Sequence, residues 1–151
     1  MKILAKNRRA FYDYEIIDKY EAGLMLLGTE VKSAKSGHIN ISEAYVVITN
    51  EEAFLLNAHI SEYKYGNIQN HEPRRTRKLL LKKRELRRLI GTTKQRGYTI
   101  IPLQVYEKKG WLKVEIAVGK GKRKYDKREK IKKREADREI ERAMKWQKKG
   151  Y

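Results

Sequence analysis

The stretch YTIIPLQVYEKKGWLKVEIAV at residues 98–118 consists of two runs rich in aliphatic and aromatic residues on either side of EKKG at 107–110. Such residues favour strands, and a short break that contains glycine between two such runs is typical of a hairpin. In the second run, aliphatic residues at 112, 114, 116 and 118 alternate with Lys113 and Glu115. Because successive side chains of a strand point to opposite faces, the stretch predicts strands at 98–106 and 111–118 with one face buried.

Shorter apolar runs predict further strands upstream. These runs cover 11–18, 23–27, 44–48 and 53–60. The last two are joined by turn-like residues at 49–52. Six or so short antiparallel strands predict a small closed barrel. We expect the barrel to occupy residues 1–118 and a basic tail to occupy 119–151, with a flexible hinge that begins at Gly119.

Two helices are predicted between the strands, a short one at 30–36 and a longer one at 73–90. Proline is favoured in the first turn of a helix and glycine just beyond its end, which places the longer helix between Pro73 and Gly91. Nine of its side chains are basic, and Glu85 is its one acid. A surface that served stability alone would mix the two signs, so we interpret this helix as an RNA contact.

Positive charge is concentrated in two blocks of the 151-residue chain, whose net charge is +18. Lys and Arg counted against Asp and Glu give −2 for residues 1–72, +10 for 73–96, +1 for 97–118 and +9 for 119–151. A cationic tail on a nearly neutral body is suited to a polyanion, and we expect RNA. The tail contains few apolar residues, so we expect it to be disordered alone and helical when bound.

The composition also argues against several classes of protein. The absence of cysteine excludes disulfides, iron–sulfur clusters and Cys-ligated zinc. No apolar run reaches the length of a membrane span and the N-terminus lacks a signal-peptide stretch, so we expect a cytoplasmic protein without a membrane partner. The histidines His38, His59 and His71 lack metal-ligand spacing, and no nucleophile elbow or phosphate loop is present. We therefore expect no metal, no cofactor and no enzyme.

Aromatic residues suggest a second mode of RNA contact. Five tyrosines could stack on unpaired bases, and the middle pair lies beside Lys64 and Asn67: Tyr12, Tyr14, Tyr63, Tyr65 and Tyr125. The first four could each be a barrel residue instead. Tyr125 lies in the polar tail with no core to join, and stacking is the better interpretation there. Trp146 is also unexplained by a core, and we expect it to anchor the tail helix in a groove.

Four stretches of the chain carry a more specific signal. They are NRRA at 7–10, EAGL at 21–24 with GTEVKS at 28–33, PRRTRKLLL at 73–81 with REL at 84–86, and KGK at 120–122 with YDKR at 125–128. In this order they resemble the small protein B (SmpB) family, the protein partner of transfer-messenger RNA (SsrA) in the bacterial rescue of stalled ribosomes. The resemblance runs from about residue 6 to residue 145.

The resemblance implies a mainly β fold with some α: an oligonucleotide-binding-type closed antiparallel barrel of about six strands, with embedded helices and a tail that is disordered when free. The family binds the tRNA-like domain of transfer-messenger RNA, and the barrel stands where an anticodon stem would be. The tail enters the empty mRNA channel of a stalled ribosome, near the decoding centre, and folds there as a helix. Translation then resumes on the RNA's own reading frame. We expect a monomer whose partners are transfer-messenger RNA and the ribosome.

Together with the basic helix, the resemblance implies a set of RNA-binding residues in the barrel: Asn7, Arg8, Glu21, Arg77, Lys78, Leu80 and Lys82. In the tail, the resemblance implies residues that bind RNA or the ribosome: Lys120, Lys122, Arg123, Lys124, Tyr125, Asp126, Lys127 and Arg128. We add Trp146 to this set because no core explains it. Lys82 stands where many members have Asn or His, and a lysine can reach phosphate but cannot accept a hydrogen bond. Gly119 replaces a commoner Ala, which we expect to loosen the hinge.

Two alternatives stay open. One is a ribosomal or RNA-chaperone protein with a generic basic barrel, which explains the charge and the tail but not the four ordered stretches. The other is an RNA-modifying or RNA-cleaving enzyme that uses Glu21, Glu30 or a histidine. Equal binding of the tRNA-like domain and ordinary tRNA would favour the first, and a change in the mass of a substrate RNA would favour the second.

Overall fold

The computed structural model describes residues 1–65, 70–94 and 97–122, together with positions 136, 138–140, 142 and 143 of the tail. Up to residue 122 the described chain forms nine strands and three helices. The strands are β1 (Lys2–Lys6), β2 (Tyr14–Leu24), β3 (Ile39–Asn40), β4 (Tyr45–Thr49), β5 (Glu52–Leu56), β6 (His59–Ile60), β7 (Arg77–Leu80), β8 (Tyr98–Lys108) and β9 (Trp111–Gly121). The helices are α1 (Ala10–Asp13), α2 (Gly28–Lys35) and α3 (Lys83–Thr93).

Six strands form a closed antiparallel ring. The order around it is β8-β4-β5-β7-β2-β9, and β9 pairs back onto β8. β1 pairs with the second half of β8, and β3 pairs with β6 in a separate small sheet. The mainly β fold and the closed barrel of about six strands are confirmed. β1 and β3 were missed because each is too short to show a clear alternation.

The quoted hairpin is confirmed and is longer than predicted. β8 and β9 pair from Tyr98 opposite Lys120 to Lys108 opposite Trp111. Lys109 and Gly110 have φ angles of 51° and 82°, and two positive φ angles match the twist of a two-residue hairpin turn. The aliphatic residues at 112, 114, 116 and 118 are all buried in the main core, as their alternation predicted.

The interpretation of Gly119 as a hinge is wrong. β9 continues through Gly121, and Gly119 lies in the ladder opposite Ile16. A Cβ atom at position 119 would lie 2.9 Å from the Cβ of Tyr14, closer than two such atoms can approach. Glycine is therefore needed here for close packing between strands, and not for flexibility.

The predicted helix at 73–90 is also wrong in its first half. Residues 77–80 form β7, which pairs with β5 on one side and β2 on the other, and α3 begins only at Lys83. α3 then passes through Gly91 and ends at Thr93. Helix propensity is a weak preference, and here backbone hydrogen bonding of β7 to β5 and β2 outweighs it.

Smaller differences concern the other elements. The region 11–18 contains α1 and the start of β2, and β2 extends to Leu24. The predicted strand at 53–60 is divided between β5 and β6 by Asn57, whose φ angle is 62°. The turn at 49–52 and the short helix before Gly37 are confirmed, since β4 pairs with β5 across that turn and α2 ends at Lys35.

The barrel is filled by one main core, and two smaller apolar clusters lie on its outside. α3 contributes the fully buried Leu89 to the main core, and α2 contributes Ala34. One outer cluster packs α1 against β8 and β9 and contains Ala10, Ile101, Leu103 and Ala117. The other packs the tail against β5 and contains Phe54, Leu56, Ala136 and Ile140. The outer surface of β2, β8 and β9 beyond α1 is thus left uncovered by these clusters.

Candidate nucleic-acid interface

Two neighbouring rows of the ladder cross the outside of β8, β9 and β2. One row runs through Lys6, Gln104, Glu115 and Glu21, and the next runs through Tyr106, Lys113, Gly23 and Leu80. We call the outer side chains of these two rows the polar face. Three of the predicted RNA-binding residues of the barrel are therefore near one another. Glu21 and Leu80 belong to the polar face, and Asn7 directly follows Lys6 at the β1 end of the face.

Glu21 lies at the β2 end of the first row of the polar face. Its carboxylate accepts a hydrogen bond from the Tyr106 hydroxyl, and the Lys108 ammonium lies 3.6 Å from it. The Tyr106 hydrogen bond, helped by the charges of Lys108 and Lys113, lowers the pKa of Glu21 below its usual value. Burial and the neighbouring carboxylate raise the pKa of Tyr106. The Glu21 side chain is 43% exposed, so an ionised acceptor with free coordination positions faces outward.

Asn7 is fixed at the edge of this face by a bulge in β8. Its side-chain amide donates to the Pro102 carbonyl at 3.0 Å, and its backbone N–H donates to the Leu103 carbonyl at 2.8 Å. The side chain is buried, yet its Oδ1 has no hydrogen-bond partner among the described residues. Since the amide nitrogen donates to Pro102, this oxygen is an acceptor for which the described part of the chain supplies no donor.

A depression of about 520 Å³ adjoins Asn7 and leads onto the polar face. Its lining combines cationic, aromatic and polar side chains: Lys6, Asn7, Arg8, Phe11, Tyr12, Lys19, Leu103, Gln104 and Glu115. Arg8 is exposed, and Tyr12 is 81% exposed. The ammonium of Lys19 lies 6.0 Å from the centre of the Phe11 ring. The depression therefore offers positive charge and exposed rings beside a hydrogen-bond acceptor.

Leu80 is the one large apolar side chain of the polar face that is exposed, at 53%. It lies over Gly23, where an added Cβ would be 3.2 Å from the Cβ of Leu80. Glycine in β2 thus makes room for the leucine on the neighbouring strand. The motif Glu21-Ala22-Gly23 lies within β2.

Arg77 does not belong to the interface, and its assignment as an RNA-binding residue is corrected. It points into the protein and is fully buried. Its guanidinium bonds the Glu30 carboxylate at 2.5 Å and the carbonyls of Ala58 and Pro73 at 2.7 and 3.0 Å. In β7 the side chains at 77 and 79 face inward and those at 78 and 80 face outward. The strand therefore places Arg77 on the opposite side from Lys78 and Leu80, whereas the predicted helix had grouped Arg77 with Lys78 as RNA-binding residues.

Glu30 is the centre of this buried network. It accepts hydrogen bonds from Arg75 at 2.7 Å, from Arg77, and from the backbone N–H of Leu27 at 2.8 Å. Burial alone would raise the pKa of Glu30, but these donors and the two guanidinium charges outweigh it and lower the pKa. The network joins α2 to the segment before β7.

The remaining basic residues of this region are of two kinds. Before α3, Arg74 bonds Asn57 and the Lys78 ammonium lies 3.4 Å from Glu52, so these charges have partners. Lys78 nevertheless points outward, as predicted. From residue 82 onward six exposed cations lie on or beside α3, namely Lys82, Lys83, Arg84, Arg87, Arg88 and Lys94. The cationic helix is therefore shorter than predicted, but it remains a positive surface.

Two of the predicted tail residues are described in full. Lys120 is exposed at the end of β9, opposite Glu15 in the ladder. The Lys122 ammonium donates to the Phe11 carbonyl at 2.8 Å, and its backbone N–H donates to the Asp13 carbonyl at 3.1 Å. The other predicted tail residues lie outside the described residues: Arg123, Lys124, Tyr125, Asp126, Lys127, Arg128 and Trp146.

The described tail positions are helical. Ala136 and Ile140, four residues apart and so on one face, are buried against Phe54 and Leu56 of β5. Arg138 and Arg142 are exposed. The sequence predicts a tail that is disordered alone and helical when bound, and most of the positions to which this prediction applies lie outside the described residues.

Tyr106, Lys108 and Lys113 were missed as functional candidates. The alternation in the quoted hairpin already placed Lys113 on the outer face, and the same reasoning applied to β8 would have added the other two. No sequence pattern could have shown that Tyr106 reaches Glu21, because the two residues are brought together only by β9 between their strands.

Within the part of the chain that the structure describes, no three or more His, Asp and Glu side chains come together in a way that could hold a metal ion. Over the same residues, no helix has the length and apolar character that would let it cross a membrane.

Comparison with known families identifies the chain's relatives. The family described as "SmpB protein" matches residues 4–146. The chain belongs to the SmpB family. The match covers the SmpB barrel from Leu4 onward and extends into the tail, so every candidate site residue of the barrel lies within it.

Individual relatives agree with this assignment. The chain is 54% identical over 143 residues to an SsrA-binding protein of Geobacillus kaustophilus, covering 95% of this chain and 92% of that protein. It is 56% identical over 145 residues to an SsrA-binding protein of Nostoc punctiforme, covering 95% and 94%. A chain of the solved structure described as "tmRNA-SmpB: a journey to the center of the bacterial ribosome" is similar with a TM-score of 0.67 and 45% identity, covering 81% of this chain and 86% of that one.

Proposed function

We propose that this chain binds the tRNA-like domain of transfer-messenger RNA, delivers it to stalled ribosomes and enables trans-translation. It acts as a monomeric binding protein in the cytoplasm, without catalysis and without a cofactor. Relatives named SsrA-binding proteins and a structural neighbour described with tmRNA and the ribosome support this function. The generic ribosomal or RNA-chaperone protein is the alternative against which it is tested.

The observation that carries the proposal is that Glu21 and Leu80, which are far apart in the sequence, share one uncovered surface, with the buried Asn7 at its edge. They provide an ionised carboxylate, an exposed apolar side chain and a buried oxygen that has no donor among the described residues. None of these is a general phosphate binder. A surface that bound RNA only through charge would not need them.

The chemistry of the face fits a folded RNA arm. The exposed Glu21 carboxylate can accept hydrogen bonds from 2′-hydroxyls or from base amino groups, which bare phosphate contact does not use. Leu80 can pack on a ribose or on the edge of an exposed base. The surrounding cations, Arg8, Lys19, Lys108 and those of α3, supply the attraction to phosphate. Shape and hydrogen bonding then select the RNA, and charge strengthens its binding.

The tail supplies the second half of the function. We assign RNA binding to residues 1–118 and ribosome sensing to residues 119–151, with the barrel in place of an anticodon stem. The tail carries a net charge of +9, which suits a channel lined with ribosomal RNA. Message already present in the channel excludes the tail sterically, so tail entry reports a vacant channel. The contacts there are made by Arg123, Lys124, Tyr125, Asp126, Lys127, Arg128 and Trp146, whereas Lys120 and Lys122 stay with the barrel, in β9 and beside α1.

The deciding experiment is a titration of the protein with the tRNA-like domain and with elongator tRNA-Ala at one physiological salt concentration. Salt must be fixed, because a strongly cationic protein binds any RNA in dilute buffer. A clear preference for the tRNA-like domain is expected. Equal affinity would contradict the proposal and favour the generic basic barrel.

A truncation tests the division of labour. A chain that ends at Lys122 keeps all strands of the barrel and the contacts of Lys122 with α1, and it loses only the packing of Ala136 and Ile140 on Phe54 and Leu56. It is expected to bind the tRNA-like domain as the full chain does and to support no peptide tagging on stalled ribosomes. Normal tagging by the truncated chain would overturn the proposed role of the tail.

A further inference from the structure

Two tyrosines outside the polar face remain without a role. Tyr63 and Tyr65 follow β6, and their ring centres lie 5.6 Å apart in an edge-to-face arrangement. Tyr63 is half-buried, but Tyr65 is 77% exposed. An exposed aromatic pair that supports no core raises the question of what it contacts.

Each ring of the pair is accompanied by a lysine. The Lys32 ammonium of α2 lies 5.4 Å from the centre of the Tyr63 ring, and the Lys64 ammonium lies 5.7 Å from that of Tyr65. Glu62 is the acid next to the pair in sequence, and it is exposed. The cluster of rings and ammonium groups is therefore net positive at its centre.

The pair is held on a fixed backbone. Asn70 bonds Tyr63 twice, accepting from its N–H at 3.1 Å and donating to its carbonyl at 2.8 Å. The Ser33 hydroxyl donates to the Ser61 carbonyl at 2.6 Å, which ties the start of the segment to α2. His71, next to Asn70, is buried and bonds the Ile60 carbonyl at 2.8 Å. The ring of Tyr63 is thus presented by a braced loop end, which lowers the entropy lost when a ligand binds.

We propose that Tyr63 and Tyr65 form a stacking platform for one unpaired nucleotide of RNA, with Lys64 and Lys32 binding its phosphate. Every base has a flat π face that can stack on an exposed aromatic ring, and an adjacent ammonium suits the phosphate that follows. The platform lies on the β6–β7 connection and α2, whereas the polar face lies on β2, β8 and β9. It is therefore a second RNA contact, and it rests on the proposed function only in taking RNA as the partner.

The platform is tested first on the free protein by NMR, with a single-stranded oligoadenylate at physiological salt. Upfield shifts of the Tyr65 ring signals are expected because a stacked base shields them, and smaller shifts are expected for the Tyr63 ring, which lies at 77° to that of Tyr65. The shifts should persist in Tyr65→Phe, which keeps the ring, and disappear in Tyr65→Leu, which does not. Tyr12→Leu, on the depression beside Asn7, is the matched control and should leave the Tyr65 shift unchanged. Ring signals of Tyr63 and Tyr65 that stay in place on titration would overturn the proposal.

A second measurement identifies the source of the nucleotide. Affinities of the wild-type and Tyr65→Leu proteins are compared for the tRNA-like domain, full-length transfer-messenger RNA and vacant ribosomes. A loss of about tenfold is expected with at least one of them. Loss with an RNA that contains the tRNA-like domain assigns the base to that RNA, and loss with ribosomes alone assigns it to ribosomal RNA. No loss with any of the three would overturn the proposal. The wild-type preference for the tRNA-like domain is read in the same experiment, so failure of the proposed function is distinguished from failure of the platform.

Discussion

Glu21 and Glu30 are both ionised, and both have a pKa below the usual value, but they belong to different regions of the molecule. Glu30 is fully buried and is bonded by two arginines and a backbone N–H. Glu21 has one hydroxyl donor and one ammonium nearby, and its side chain is 43% exposed. A lowered pKa alone therefore does not distinguish a carboxylate that holds the fold together from one that can bind a partner.

What separates the two regions is the number of donors that the protein itself provides. Around Glu30 the protein supplies enough donors to offset the cost of burying the charge, and no position is left for a ligand. Around Glu21 the protein supplies only part of the coordination, and the rest is open to solvent or RNA. The same contrast applies along β7, where Arg77 is committed inward and Leu80 is left outside.

The largest effect is expected when the closed region is broken by Arg77→Met. Removing the guanidinium leaves the Glu30 charge buried with fewer donors, which should lower the free energy of unfolding by about 3–5 kcal/mol. Chemical denaturation measures this. Lys78→Met, the adjacent residue with an exposed partner, is the control and should cost less than about 1 kcal/mol. Equal losses would mean that the inward and outward positions of β7 do not differ as described.

The next effect is expected on the open region from Leu80→Asp. A carboxylate at this exposed position should leave the unfolding transition almost unchanged, and it should repel RNA phosphate and remove the apolar contact. We expect the affinity for the tRNA-like domain to fall about tenfold to a hundredfold in the titration described above. Leu80→Met, which keeps an apolar side chain, should retain most of the affinity. Unchanged binding by Leu80→Asp would remove β7 from the interface.

A smaller effect is expected from Glu21→Ala, which should weaken RNA binding several-fold and change the free energy of unfolding by about 1 kcal/mol or less. Tyr106→Phe separates contact from bracing, because it removes the donor and keeps the carboxylate. If Glu21 itself contacts RNA, Tyr106→Phe should reduce the affinity less than Glu21→Ala does. Equal reductions would show that Glu21 acts only by positioning, with Tyr106 as its necessary partner.

The smallest effect concerns titration of Glu21 and Glu30. Each carboxylate has a folded-state pKa below its usual value of 4.5, so its ionised form stabilises the fold at pH values above 4.5. This stabilisation is lost as the pH falls through the folded-state pKa. Side-chain NMR of the wild type should therefore give midpoints below 4.5 for both. In Tyr106→Phe the midpoint of Glu21 should rise and that of Glu30 should stay. A shift of both would contradict the independence of the two regions.

Much of the fold could be predicted because it depends on local patterns. The alternation in 111–118 determined which side of β9 is buried, and the polar residues at its turn determined the hairpin. The resemblance in four ordered stretches gave the family, and with it Asn7, Glu21 and Leu80 as candidates. Gly119 shows the limit of such reasoning, because its role depends on Tyr14, which is far away in the sequence.

The sequence by itself determined the strand pattern of the hairpin, the segregation of charge and the family. Only the tertiary structure decided which of the basic residues at 74–88 face solvent, because this depends on pairing with distant strands. Residues 77–80 could have formed a helix, but β5 and β2 offered ladder partners on both sides, and Glu30 offered a buried counter-charge to Arg77. Short-range propensities differ by less than the free energy of such pairing and charge compensation, so the long-range contacts prevailed.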